Sequence, residues 1–214
     1  NVKSVFERYP NYQTVSGAMA YWPGGTAPSE WGSCYAAHFL IEAKKQGYTI
    51  PTEIYGPLVE WLKETAAECN EASVTQAYRL FVLALAGSPD IGAMNRMMTD
   101  KIGNEEGILL SAAYSLAGRR QTAQELLKQT DPVPNFFRHT GSSFSSSIRT
   151  AAQALIANNL AGNTSQAARI AENVSRTLSK DGWLSTQETA WSLISMLSFY
   201  RDSRPAPAAY IVEN

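Results

Sequence analysis

Apolar residues gather along this chain in two ways, and the two alternate. In "SVTQAYRLFVLALAG" (73–87) nearly every position from Leu80 to Ala86 is apolar. "GILLSAAYSLAG" and "IRTAAQALIANNLAG" are likewise apolar or small on most sides. A helix that is apolar around most of its circumference is buried on most sides. The segments between read differently. "NTSQAARIAENVSRTLSK" holds Ala167, Ile170, Ala171, Val174 and Leu178 at helical spacing against polar neighbours. "RRQTAQELLKQT" carries one stripe at Ala123, Leu126 and Leu127, and "PTEIYGPLVEWLKET" another at Ile54, Leu58 and Leu62. These are one-sided helices with a solvated outer face.

Glycine punctuates the alternation. Gly87, Gly118 and Gly162 each follow Leu-Ala, and Gly47 closes "CYAAHFLIEAKKQG". Glycine tolerates the left-handed backbone that ends many helices. Ser73 with Gln76, and Ser185 with Glu188, have the spacing of a capping box at helix starts. Buried helix, glycine stop, one-sided helix is a repeated αα-hairpin, with a period of about 40 residues and one short unit. No clean period-2 run bounded by turn residues argues for a strand, apart from "AAYIVEN" at the end.

Helices apolar all round need cover on both sides. An inner ring inside an outer ring gives that cover, whereas an open solenoid gives less. The expected fold is therefore all-α, an α/α toroid over residues 1–201, with 202–214 a linker or strand. Val82, Leu155 and Leu193 are expected on inner helices, and Glu125 and Glu172 in water. The long connections "GGTAPSEWG" and "TDPVPNFFRHTGSSFSSS" both precede inner helices, so they are expected on one face, where functional loops often lie.

Composition narrows the function classes. The net charge is −1, which offers no basic footprint for nucleic acid. No apolar run reaches the roughly 18 residues of a membrane span, and "NVKSVFERYP" lacks the pattern of a signal peptide. Cys34 and Cys69 fix no redox compartment.

Several side chains are candidates for chemistry, but no catalytic, cofactor-binding or metal role is expected for any of them. Cys34 and His38 stand four apart and could face one metal with Cys69, but a small buried Cys and a satisfied His fit a packed helix as well. His139, beside Arg138 and followed by Ser142, Ser143, Ser145, Ser146 and Ser147, invites a nucleophile reading. No nucleophile elbow or placed acid accompanies it, so a solvated loop is expected. Asp90, Asp100, Asp131 and Asp181 stand apart, with neither a metal-binding cluster nor a carboxylate pair for glycoside hydrolysis. Of Trp22, Trp31, Trp61, Trp183 and Trp191, an aromatic-lined cavity for an apolar or sugar ligand is one reading, and core plugs between helices are the better explanation of most. Trp22 and Trp183, each in a glycine-containing turn before an inner helix, read as a matched structural feature of the repeat.

"AYWPGG", "WGSCYAAHFLIEAKKQGYTIP", "TGSSFSSSIRTAAQALIA" and "DGWLSTQETAWSLISM", in this order, resemble the later part of the thioester domain of bacterial alpha-2-macroglobulins. The resemblance runs from about Gly17 to Arg201. It implies an α/α toroid from a protein that inhibits proteases by entrapment, often through a Cys–Gln thioester. It also implies an extracytoplasmic site, periplasmic or on the cell surface, with anchoring through a parent protein. The family thioester needs Gln three residues after Cys. Cys69-Asn70-Glu71-Ala72 and Cys34-Tyr35-Ala36-Ala37 lack it, so no thioester is expected in this segment, and the toroid is expected to be incomplete at its N-terminus. The implied partners are other domains of the parent and target proteases, with self-association through apolar faces of the first helices. No cofactor, enzyme activity or nucleic-acid partner is expected. The competing classes are a toroid enzyme of cyclase or polysaccharide lyase type, which needs an acidic or His/Tyr cluster at the ring centre, and a helical-repeat scaffold for protein binding.

Overall fold

The computed structural model describes residues 2–141 and 143–202. Ser142 and residues 203–214 of the expected linker or strand (202–214) lie outside the described residues, and position 202 is the last of α10. A short helix α1 (Val2–Arg8) and a 3-10 turn (Tyr9–Asn11) precede nine further helices. These are α2 (Glu30–Lys45), α3 (Thr52–Glu68), α4 (Val74–Leu85), α5 (Ile91–Met97), α6 (Asn104–Leu116), α7 (Arg120–Leu127), α8 (Ser147–Ala161), α9 (Thr164–Leu178) and α10 (Thr186–Asp202). Among the described residues β structure is limited to isolated bridges, such as Arg138 with Ser146.

Even-numbered helices form the inner layer. Each packs on the next along the series α2, α4, α6, α8 and α10, while α7 lies on α6 and α8, and α9 on α8 and α10. The two periodicities of the sequence have this physical outcome. On inner α8, twelve of fifteen residues are buried, but on outer α9 only Ala167, Ile170, Ala171 and Val174 are. Val82 and Leu155 are fully buried, and Glu125 and Glu172 are exposed. The all-helical, two-layer α/α toroid arrangement follows.

The stops are as expected. Gly47, Gly87, Gly118 and Gly162 all adopt left-handed φ between 76° and 86°. At Gly162 the N–H bonds back to the Asn159 carbonyl and closes α8. Gly17 combines a φ of +88° with a tighter constraint, because a Cβ there would stand 2.5 Å from the Pro57 carbonyl oxygen. Only glycine lets that loop lie on α3.

Two expectations need correction. Leu193 is 56 % exposed rather than buried. It heads a stripe on α10 with Leu197 and Tyr200, also exposed. Helix α2 lies next around the ring and is reached there through side chains: His38 and Trp191 ring centroids are 5.1 Å apart, and Arg201 donates to Gln46 Oε1 at 3.2 Å. The exposed apolar stripe therefore belongs to the last helix and not to the first ones. On α1, Phe6 packs edge-on against Phe39 and Tyr48. Second, Trp22 and Trp183 occupy matching loops, before α2 and α10, but both are more than 70 % exposed and plug nothing. The repeat also holds after Gly87, where the short helix α5 follows, burying Ala93, Met94 and Met97 and capped by Asp90 Oδ1 on the Ala93 N–H at 2.8 Å.

Candidate functional site

The side chains on the ring axis come from elements far apart in sequence. On α2, His38 lies one turn after Cys34 and points inward with only 4 % exposure. Its Nδ1 is 2.9 Å from the hydroxyl of Tyr78 on α4. Phe81 and Trp191 close around the imidazole, with centroids at 5.7 and 5.1 Å. Burial pushes the His38 pKa down to about 4, against the pull of Glu42 and with a push from Lys45. Burial likewise raises the Tyr78 phenol well above its usual value, with Cys34 and Tyr35 adding to it. At neutral pH a neutral imidazole therefore meets a neutral phenol.

Above His38 the axis opens into a cavity of about 220 Å³ at the C-terminal ends of the inner helices, and all five line it. Its walls include Phe81, Leu85, Leu116, Ile156, Leu160 and Ile194, and its rim carries Glu42, Lys45 and Arg201. Lys45 Nζ is 2.6 Å from Glu42 Oε1, and His38 Nε2 is 3.9 Å from the same atom. The His/Tyr grouping that a toroid enzyme would need was not apparent in the sequence, because His38 and Tyr78 are forty residues apart and meet only when α2 packs on α4. The one local signal is that both sit on inner faces of their helices.

At the opposite, N-terminal end, buried charge fixes the loops. Arg149, fully buried on α8, pairs with Glu105 of α6 and donates to the Ser143 carbonyl. The Ser145 hydroxyl donates to the same carboxylate. The Arg149 guanidinium lies 4.6 Å from the Trp31 ring centroid, which brings the starts of α2 and α8 together. Arg79 of α4 is also fully buried and donates to Gln76 and to Glu30 Oε2 of α2. Arg138, from the long loop, donates through Nε and Nη2 to the two oxygens of Glu188, each at 2.9 Å. Its guanidinium also lies 5.1 Å from the Trp183 ring centroid and 5.7 Å from that of Phe136, and both rings are exposed.

The residues weighed from sequence fall as follows. Cys34 is fully buried with its thiol pushed up to about 12 by burial, and Cys69 is half-buried. Both are free thiols, not a disulfide. Among the described residues no three His, Cys, Asp or Glu gather as a metal site. His139 is exposed; its backbone N–H donates to the Ser145 carbonyl at 2.8 Å, and its ring lies 5.4 Å from that of Phe137. Ser146 caps α8 at the Arg149 N–H, so the serine run fixes the loop's shape. Ser142 lies outside the described residues. Asp90 is a cap, and Asp100, Asp131 and Asp181 are exposed.

No family model matches this sequence, and no curated protein does. Solved structures do match. The native form of Escherichia coli alpha-2-macroglobulin superposes with a TM-score of 0.75 at 21% identity, covering 92% of this chain and 14% of that one. Salmonella alpha-2-macroglobulin reacted with methylamine gives 0.72 at 23%, covering 89% and 14%. The E. coli protein activated by porcine elastase gives 0.71 at 20%, covering 94% and 19%. This chain thus spans under a fifth of the length of these three proteins, and over about nine-tenths of its own length it has a fold found within bacterial alpha-2-macroglobulins.

Proposed function

We propose that this chain is the toroidal part of an alpha-2-macroglobulin-like protein that inhibits proteases by entrapment, and that it acts there as a non-enzymatic domain. The observation that carries this reading is the fold match along nearly the whole chain, together with the order of the four sequence segments that resemble that family. In this reading its partners are the other domains of the parent protein and the target protease, and its location is extracytoplasmic. Among the described residues no helix is long and apolar enough to cross a membrane. The exposed Trp22, Phe136 and Trp183 side chains on the loop face support contacts with neighbouring domains.

A toroid enzyme is the less favoured reading. His38 and Tyr78 are grouped at the ring centre, but both are buried, neutral and bonded to each other, and among the described residues Glu42 alone brings a carboxylate to the cavity. An efficient general base is accessible and has a pKa near the working pH, and His38 has neither property.

The test is a trapping assay on the full polypeptide that carries this chain. After incubation with elastase, cleavage of a small chromogenic peptide should persist while cleavage of casein is lost. Equal loss of both activities, or loss of neither, would remove the entrapment reading.

A further inference from the structure

The cavity on the ring axis has the build of a site for a small amphiphile. It lies away from the loop face, at the C-terminal ends of α2, α4, α6, α8 and α10, and apolar side chains make up the larger part of its lining. A volume of about 220 Å³ holds an alkyl tail of roughly seven carbons if each takes about the 30 Å³ share of a water molecule in the liquid, which with the head-group carbon makes about eight. Its floor is His38, neutral and nearly inaccessible. Its rim is asymmetric in charge. Glu42 is engaged by Lys45 at 2.6 Å, whereas Arg201 donates to the neutral amide of Gln46. Among the described side chains, which end at Arg201, no carboxylate stands within ion-pair distance of that guanidinium. Within that set the rim has one cationic charge without an ionic partner beside an apolar shaft. The helix C-termini pull the other way, since their carbonyl ends favour a cation, but α2 already carries Lys44 and Lys45 in its last turn and α10 carries Arg201.

We propose that this cavity binds a linear carboxylate amphiphile of about eight carbons, with its tail among Phe81, Leu85, Ile156 and Leu160 and its carboxylate at Arg201. The proposal is independent of protease entrapment, because it uses neither the loop face nor any other domain. It makes a graded expectation about chain length. Each methylene moved out of water should tighten binding by about fourfold, and the gain should stop once the shaft is full.

The experiment titrates the chain with hexanoate, octanoate, 1-octanol and octyltrimethylammonium, following the methyl resonances of Ile156 and Ile194 by NMR and the heat of binding by calorimetry. Octanoate should saturate one site, shift both methyls, and bind at least tenfold more tightly than hexanoate or the octyl cation. Leu160→Trp fills the shaft and should abolish the shifts. Arg201→Glu, at an exposed position, should leave the fold intact and reverse the preference between octanoate and the octyl cation. If Leu160→Trp fails to fold, the Arg201→Glu reversal decides alone. Unshifted methyls at 10-millimolar-order octanoate, or a head-group preference unchanged by Arg201→Glu, would overturn the proposal.

Discussion

Arg138 and Glu188 form a two-point ion pair, Nε to Oε1 and Nη2 to Oε2, across fifty residues of sequence. Glu188 is also the reciprocal partner in the cap of α10. It accepts the Ser185 N–H at 2.8 Å, and its own N–H donates to Ser185 Oγ at 3.2 Å. One carboxylate thus starts the last inner helix and anchors the long loop before α8. Burial alone would raise its pKa, but hydrogen bonds from the Ser185 N–H, Arg138, Ser146 and the Ser185 hydroxyl outweigh burial and hold it low.

From this a pH dependence follows. A carboxylate whose folded pKa lies below its unfolded value contributes stability above the unfolded pKa, and that contribution is lost as pH falls through the folded one. Glu188→Gln should lower stability at pH 7 by about 2 kcal/mol, the range for losing charge-assisted hydrogen bonds. The gap between the wild type and the variant should narrow as pH falls below the usual glutamate range. Thermal melts of both proteins from pH 7 to pH 3 measure this directly.

His38 gives a second acid-sensitive window, higher in pH. Its folded pKa is about 4 against 6.5 for the free side chain, through burial first, with Glu42 opposing and Lys45 assisting. Below pH 6.5 the unfolded chain takes up a proton that the folded chain refuses, so stability falls until the folded site also protonates near pH 4. Full development of that loss is on the order of 3 kcal/mol. In His38→Gln the stability should be flatter between pH 6.5 and 4 than in the wild type. A proton NMR titration should show the His38 ring resonances unmoved from pH 8 to pH 5.

Arg149 and Glu105 are both buried, at 0 % and 6 % exposure, so their value depends on both being present. Removing one partner of a buried pair strands the other charge and costs about 3–5 kcal/mol. Arg149→Met should therefore be severely destabilising, and Glu105→Gln comparably so. The double variant should recover a large part of the loss, because two neutral side chains leave no stranded charge. Denaturant unfolding of the three variants completes the cycle, and additive losses would show that the pair is not coupled.

The hairpin repeat was legible because burial leaves a direct imprint on sequence. Leu155 sits in a run that is apolar or small on most sides, and its helix packs against α6, α7, α9 and α10. Leu193 sits in a similar run, but α10 has neighbours on only part of its circumference among the described residues, and a local pattern cannot report a missing neighbour. The capping signal split in the same way. Ser185 and Glu188 cap each other reciprocally, whereas Ser73 caps the Gln76 N–H while the Gln76 side chain turns to the Ala66 carbonyl and Arg79. That competition comes from the tertiary fold. The ring-axis grouping of His38, Tyr78 and Trp191, and the Arg138–Glu188 pair, join segments through packing alone, so no spacing announced them.

Gln153, on the buried side of α8, has no protein partner for either end of its amide. Thr150 Oγ1 on the same helix, and Trp191 Nε1 and Ser192 Oγ on α10, are in the same condition. Buried polar groups without partners each cost about 1–3 kcal/mol unless ordered water meets them. Gln153→Met keeps nearly the same length and removes the unmet amide. It should raise stability by about 1 kcal/mol, read as an upward shift of the melting midpoint. A drop in the midpoint would mean that ordered water satisfies the amide in the α8–α10 seam.

The cysteines give the last expectation. A thioester joins a Cys thiol to a Gln amide three residues on, and neither Cys34 nor Cys69 is followed at that spacing by Gln. Cys34 is fully buried among α2 and α4 side chains, and burial pushes its thiol up to about 12, so almost none of it is thiolate at neutral pH. Thiolate is the reactive form. Cys69, at the end of α3, is half-buried and touches only the Glu71 carbonyl, at 3.7 Å from Sγ. Methylamine should add no mass to this chain and release no thiol. A disulfide reagent should label one cysteine, Cys69, in the native protein and both in denaturant, with Cys34 protected until the fold opens. Methylamine incorporation would require a bond that this sequence has no glutamine to make. Rapid labelling of Cys34 under native conditions would mean that the contact of α2 with α4 opens far more readily than its packing allows.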